Sequence, residues 1–172
     1  MSATSEQDAR YAEAAALYGA MLQRLARANE ADPDRRRDLL QEMHLALWRS
    51  LAAFDGRCAL STWVYRVAHN TAATHVGRHI RINRGLVPIE AIEALADHDF
   101  SAAFESNDEI ERLNALIRTL RLEDRQLLTL YLEGLDAAET GDVMGLSANA
   151  IATRLSRLKT HLARLFRETA HA

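Results

Sequence analysis

Apolar residues recur along this chain at intervals of three and four, the spacing of one face of an α-helix, and nowhere alternate as they would in a half-buried strand. Residues 8–29 are rich in Ala and Leu, with Leu17, Met21, Leu22 and Leu25 at helical spacing. Asp32-Pro33 interrupts them, and Asp32 is placed to cap a helix with Pro33 at its first position. From Asp34 to Phe54, Leu39, Leu40, Met43, Leu47, Trp48 and Leu51 form a wide apolar face that Asp55-Gly56 ends. Ser61 is a candidate N-cap for a third helix reaching about His79, with Trp63, Val64, Val67 and Ala68 on one side.

Residues 83–106 break the pattern. They hold Gly85, Pro88 and the acidic side chains Glu90, Glu93, Asp97, Asp99 and Glu105, and read as a linker with a short helical turn around 89–96. Helical spacing resumes at Asn107 or Asp108. Leu113, Leu116, Ile117 and Leu120 define one helix, and Leu127, Leu128, Leu130 and Tyr131 the next, ended by Glu133-Gly134. Two more follow at about 136–144 and 147–167. The last carries Ile151, Leu155, Leu158, Leu162 and Leu165 on a single stripe. The expected fold is all-α: two small helical domains, 1–82 and 107–172, joined by an acidic linker over 83–106. Each is near the size at which one core is only marginally stable.

Composition narrows this further. Only 7 Gly and 2 Pro in 172 residues argue against a turn-rich β fold. No uncharged run approaches the roughly 18–20 residues of a membrane span. The start, with acidic residues and no apolar core, does not read as a secretory signal. One cysteine, Cys58, cannot form an intramolecular disulfide, which fits a reducing cytoplasm.

The formal net charge of -3 at first disfavours a nucleic-acid partner. By segment, however, the balance is -3 over 1–34, +6 over 35–84, -7 over 85–115, -3 over 116–144 and +4 over 145–172. Two basic blocks thus flank an acidic one. Twenty of the 21 basic residues are Arg, which codon usage alone can produce, so clustering leaves a solvated face open beside a polyanion surface. Arg35–Arg37 sit where a helix N-terminus disfavours cations, which points weakly to an external anion or acidic partner.

Residues 136–157 have the spacing of a helix-turn-helix. Gly145 supplies the positive φ of the turn, and Gly141, four residues earlier, sits where a side chain would clash. Leu146 and Ile151 are expected to plug the small core, and Ser147 to cap the second helix. On that helix Asn149, Thr153, Arg154, Ser156, Arg157 and Lys159 fall on the face away from the apolar stripe. They offer donors for base edges and charge for phosphates. A plain amphipathic hairpin is the alternative.

The stretch 38–78 carries a denser set of signals: Asp38-Leu39-Leu40-Gln41-Glu42, then Phe54-Asp55-Gly56, then Thr62-Trp63-Val64-Tyr65-Arg66-Val67-Ala68-His69-Asn70. It strongly resembles region two of the extracytoplasmic-function (ECF) sigma factors, small initiation subunits of bacterial RNA polymerase. Residues 122–159 resemble region four of the same family. The two matches cover roughly 80 residues on both sides of the linker, in the family's order.

The resemblance implies partners and roles. Core RNA polymerase would be bound through its β′ clamp helices and β flap, with Asp38, Gln41, Glu42 and Arg49 on the clamp-facing side. Phe54, Arg57, Ser61, Trp63, Tyr65, Arg66, Asn70, Arg78 and Arg81 would meet the melted minus-ten element, and Arg84 would add charge for its backbone. Single-stranded bases expose faces for aromatic stacking and edges for hydrogen bonds. Ser147, Asn149, Thr153, Arg154, Ser156, Arg157 and Lys159 would meet the minus-thirty-five duplex. An anti-sigma factor is an implied partner, and the acidic linker would thread toward the RNA exit path. Trp48, Trp63 and Val67 fit a core better than a DNA contact, Tyr65 fits either role, and Asn70 could bond within its own helix. Two departures stand out: Glu139-Thr140-Gly141 where the family has Glu-Ile-Ala, and Asn149-Ala150 where it has Gly-Thr.

No phosphate loop, dinucleotide fingerprint or nucleophile elbow is present, so no cofactor and no catalytic centre are expected. His75 and His79 are four apart and share a helix face, but His69 is off it and no adjacent carboxylate completes a ligand set. No metal is therefore expected. Cys58 reads as a passive small residue, with redox sensitivity as the alternative. Two other functions remain: a stand-alone helix-turn-helix regulator, and a sigma-like decoy that titrates another regulator.

Overall fold

The computed structural model describes residues 3–84 and 109–170, and every element among them is helical. In chain order these are α1 (Ala3–Asn29), α2 (Pro33–Leu51), α3 (Leu60–Arg84), α4 (Glu109–Thr119), α5 (Leu122–Leu132), α6 (Ala137–Met144) and α7 (Ala148–Ala170). They fall into two units, Met1–Leu122 and Glu123–Ala172. The expected linker lies outside the described residues except for 83 and 84, which belong to α3.

In the first unit α1, α2 and α3 each pack against the other two, and α4 packs on α1. The sequence groups α4 with the second domain; here it is part of the first unit. The core is built from one stripe per helix: Met21, Leu22 and Leu25 of α1, Leu39, Met43, Leu47 and Leu51 of α2, and Val64, Tyr65, Ala68 and Ala72 of α3. Each fully buried Leu, Met or Val contributes about 1.5–3 kcal/mol. Buried Ala14, Ala26, Ala28, Ala68 and Ala72 keep side chains small between packed helices.

Asp32 caps α2 as expected, accepting from the backbone N–H groups of Asp34 (3.0 Å) and Arg35 (2.9 Å), with Pro33 following. Chiefly through the Arg35 bond, its carboxyl is held below the usual carboxylate range. The awkward Arg35–Arg37 cluster has an internal use. Arg36 donates to the carbonyls of Glu30 (3.1 Å) and Ala31 (2.8 Å), just past the end of α1 where carbonyls lack helical partners. Arg37 pairs with Asp34. Arg118 of α4 likewise donates to the Arg27 carbonyl at 2.7 Å. The capping expectation for Ser61 fails by two residues, since Ala59 holds the N-cap position. The helix already includes Leu60, and the Trp63 N–H bonds the Ala59 carbonyl at 3.1 Å, so Ser61 lies inside the first turn.

In the second unit Gly134 (φ 88°) turns the chain from α5 towards α6. A reciprocal box starts α6: Asp136 accepts from the Glu139 N–H at 2.8 Å while Glu139 accepts from the Asp136 N–H at 2.9 Å. Gly145 ends it at φ 71°, in the left-handed region the turn requires. Ser147 opens α7, its Oγ accepting from Ala150 N–H at 3.2 Å. Ile151 and Leu158 are buried as expected. Leu146 is not: at 38% exposure it rides outside the turn. Buried Thr140 and Val143 of α6 line the core instead.

Candidate nucleic-acid interface

Burying one stripe of α3 turns the opposite one outward. Arg66, Asn70, Thr74 and Arg78, spaced by four, are all exposed and form a polar row. Arg78 pairs with Glu42 of α2 at 3.0 Å, which joins this row to the α2 surface. Arg81 lies in the last turn of α3, where only the backbone is described.

The α2–α3 loop lies beyond the start of this row. Phe54 and Trp63 meet edge-on, with ring centroids 5.3 Å apart, and the Trp63 indole N–H donates to Ser50 Oγ at 3.0 Å. Both rings are half-buried, so each packs while keeping part of its surface available. Ser61 is half-buried beside them. Gly56 (φ 75°) turns the loop, and exposed Arg57 pairs with Asp55 at 2.9 Å. Cys58 is half-buried in the same loop. Arg10 of α1 donates to the Phe54 carbonyl at 3.1 Å, and a cleft of about 440 Å³ opens between Arg10, Glu13, Phe54, Asp55, Gly56 and Leu60. Sequence reading missed Arg10 and Glu13, because nothing in α1 signals a loop more than 40 residues away.

Tyr65 stands apart from this group. It is 8% exposed and packs edge-on against Tyr18, centroids 6.3 Å apart. His69 is buried as well, and loss of hydration pushes its pKa down to about 4.

On α2, Asp38, Gln41 and Arg49 are exposed on the side opposite the Leu39–Leu51 stripe. Glu42 is half-buried. Leu45, 47% exposed, sits among them, a leucine off the buried stripe that its sequence position on the polar face could have singled out. Trp48 is fixed to α1, its indole N–H donating to Asp8 at 2.8 Å and its carbonyl accepting from Gln7 at 2.7 Å.

In the second unit the outer face of α7 reads Asn149, Ala152, Thr153, Ser156, Arg157 and Thr160, all exposed. Ser147 is exposed at its start. Arg154 is drawn onto Glu123 at 2.5 Å, and Lys159 lies over the Tyr131 ring at 4.1 Å. These two cations are therefore positioned by α5, whereas Arg157 projects from the middle of the outer face. Ala152 and Thr160 join a face from which the sequence reading left them out.

Residues 15–82 match the family described as Sigma-70 region 2, and residues 110–162 match Sigma-70, region 4. The RNA polymerase sigma-H factor of Pseudomonas aeruginosa is 32% identical over 137 residues, spanning 74% of this chain and 71% of that protein. The ECF RNA polymerase sigma factor SigM of Mycobacterium tuberculosis is 28% identical over 145 residues, spanning 84% and 70%. Among solved structures, the sigma factor RpoE in complex with the anti-sigma factor NepR from Bartonella quintana superposes with a TM-score of 0.69 at 17% identity, covering 91% of this chain and 96% of that one.

Proposed function

Because this chain belongs to the ECF branch of the sigma-70 family, we propose a division of its surface among the tasks of an initiation subunit. The protein is a sigma factor that binds core RNA polymerase and directs promoter-specific transcription initiation, with anti-sigma factors as regulatory partners. Its first unit covers core binding and minus-ten recognition, and the helix-turn-helix of its second unit covers minus-thirty-five recognition.

The clamp-facing surface is Asp38, Gln41, Leu45 and Arg49, with Glu42 at its edge. A polar rim around one exposed leucine suits a contact with a helical partner, since the apolar centre gains from desolvation and the rim sets orientation. The melted minus-ten strand runs along Arg66, Asn70 and Arg78, with Phe54, Arg57 and Trp63 at one end. The cations hold phosphates, the amide reads base edges, and the half-buried rings offer stacking surface worth about 1–3 kcal/mol per base. Tyr65 supports this surface from behind. Asn149, Thr153, Ser156 and Arg157 enter the major groove, while Arg154 and Lys159 lie beside them for the flanking phosphates.

The observation that carries the assignment is the exposed row Arg66–Asn70–Thr74–Arg78 opposite the buried Val64–Ala68–Ala72 stripe of the same helix. The chain works in the cytoplasm and holds no catalytic centre of its own, since nucleotide addition belongs to the polymerase. Among the described residues no helix is long and apolar enough to cross a membrane.

The test is reconstituted transcription on promoters mapped after overexpression. Wild-type chain should be retained by core polymerase and give run-off product. Asn70→Ala should keep retention but lose promoter opening, and Leu45→Lys should lose retention. Failure of wild type in both assays sinks the reading. Transcription that survives Asn70→Ala and Arg78→Ala together removes α3 from the minus-ten role.

A further inference from the structure

Outside these faces, four titratable side chains converge where the end of α1 meets α2 and α3. His75 Nε2 stands 3.5 Å from Glu30 Oε2, and His75 Nδ1 stands 3.6 Å from Glu42 Oε2. The His79 ring lies 4.6 Å from the His75 ring, centroid to centroid. One ligand atom each from Glu30, His75 and His79 falls within 4.8 Å of the others. The His75 side chain is 3% exposed, and neither of its ring nitrogens makes a hydrogen bond among the described residues. Buried polar groups are ordinarily satisfied, so this imidazole, aimed at two carboxylates and bonded to neither, needs an account.

We propose that Glu30, His75 and His79 form a binding site for a divalent borderline transition-metal ion of the zinc type. Two imidazoles and one carboxylate are a zinc-like donor set, whereas calcium and magnesium take oxygen ligands. Tetrahedral ligands about 2.0–2.1 Å from zinc stand roughly 3.3–3.4 Å apart. The Glu30–His75 pair is already near that spacing, and the half-buried His79 closes the rest by side-chain rotation. With Nε2 on the metal, Nδ1 is left to donate to Glu42. That carboxylate orients the ligating ring, and its other oxygen is held by Arg78 at 3.0 Å. Glu30 and His79 leave the fourth position facing outward, for water or a donor from a partner. The expected lack of a carboxylate beside His75 and His79 is thus corrected: two arrive from elsewhere in the chain.

Such an ion ties the end of α1 to α3. It also engages Glu42 at the edge of the clamp-facing surface, so occupancy would couple to that surface. The metal site stands independently of promoter recognition.

The experiment is calorimetric titration of zinc chloride into the full chain in a non-chelating buffer, with thermal unfolding and the visible spectrum of the cobalt(II) form in parallel. Expected are one ion per chain with micromolar or tighter affinity, a raised Tm, and a tetrahedral cobalt band. His79→Ala and Glu30→Gln should each weaken binding at least tenfold, and Glu42→Gln by about 10–100-fold through the ligating ring. Cys58→Ser should leave it unchanged. Circular dichroism confirms that the variants fold, and Glu30→Gln, at a half-buried position beyond the end of α1, serves if His79→Ala does not. No zinc binding by the wild-type chain overturns the proposal, as does binding that survives Glu30→Gln or disappears with Cys58→Ser.

Discussion

Gly141→Ala sets two effects of opposite sign against each other. Inside a helix, Ala is favoured over Gly by about 1 kcal/mol, so propensity alone predicts a more stable α6. The tertiary structure predicts the reverse. A Cβ at this position would stand 2.5 Å from the Leu146 carbonyl oxygen, with the Leu146 carbon and the Ala148 nitrogen at 3.5 and 3.6 Å. An ordinary carbon–oxygen contact is about 3.3 Å or more, so the carbonyl must retreat by roughly 0.8 Å. It has little room. Leu146 N–H bonds the Gly141 carbonyl at 3.0 Å, and Ser147 caps α7 immediately after. Forced overpacking costs about 1–3 kcal/mol, and straining the turn bond endangers up to about 1 kcal/mol more. Net destabilisation of the second unit by about 1–2 kcal/mol follows, raising its unfolded fraction roughly 5–30-fold. Hydrogen exchange by mass spectrometry on the full chain reads this locally. Peptides within 137–158 should exchange faster by that factor, while peptides within 33–80 stay unchanged. Equal or slower exchange in 137–158 would refute the close-approach account of Gly141.

His69 gives a pH signature. Its folded pKa of about 4 lies below the unfolded value near 6.5, so below that pH the unfolded chain binds the proton first. Stability from this residue is complete above pH 6.5 and falls by up to about 3 kcal/mol as pH drops to 4. Urea melts at both pH values should show the loss, and it should shrink in His69→Leu. Asp136→Ala removes the carboxylate that accepts from the Glu139 N–H and should destabilise the second unit by about 0.5–2 kcal/mol, again read by exchange in α6. Arg157→Ala should lower the salt slope of polymerase-dependent promoter binding by about one, because one phosphate or base-edge cation is lost. With its net charge of -3, the isolated chain should bind promoter duplex weakly at physiological salt; nanomolar binding would contradict the reliance on polymerase.

Much of this molecule is legible in the chain itself. Period-three-and-four spacing located the helices, because burying one stripe is what makes a short helix stable. Asp32-Pro33, the Gly141/Gly145 pair and Ser147 are local devices whose geometry is set by residues within a turn or two, and all appear as expected. Charge by segment separated the basic stretches from the acidic one that the net value of -3 concealed.

What the sequence left open was decided by packing between helices. Whether Tyr65 faces solvent or core depends on Tyr18, and whether Arg154 is available depends on Glu123. Leu45 lies off the buried stripe of α2 and Leu146 in the turn between α6 and α7, so both face outward although they are apolar. Arg36 turned from a misplaced charge into a cap for carbonyls beyond α1. Above all, Glu30 and Glu42 reach His75 from outside its own helix. No local spacing rule can register such a meeting, since it exists only once three helices close on one corner.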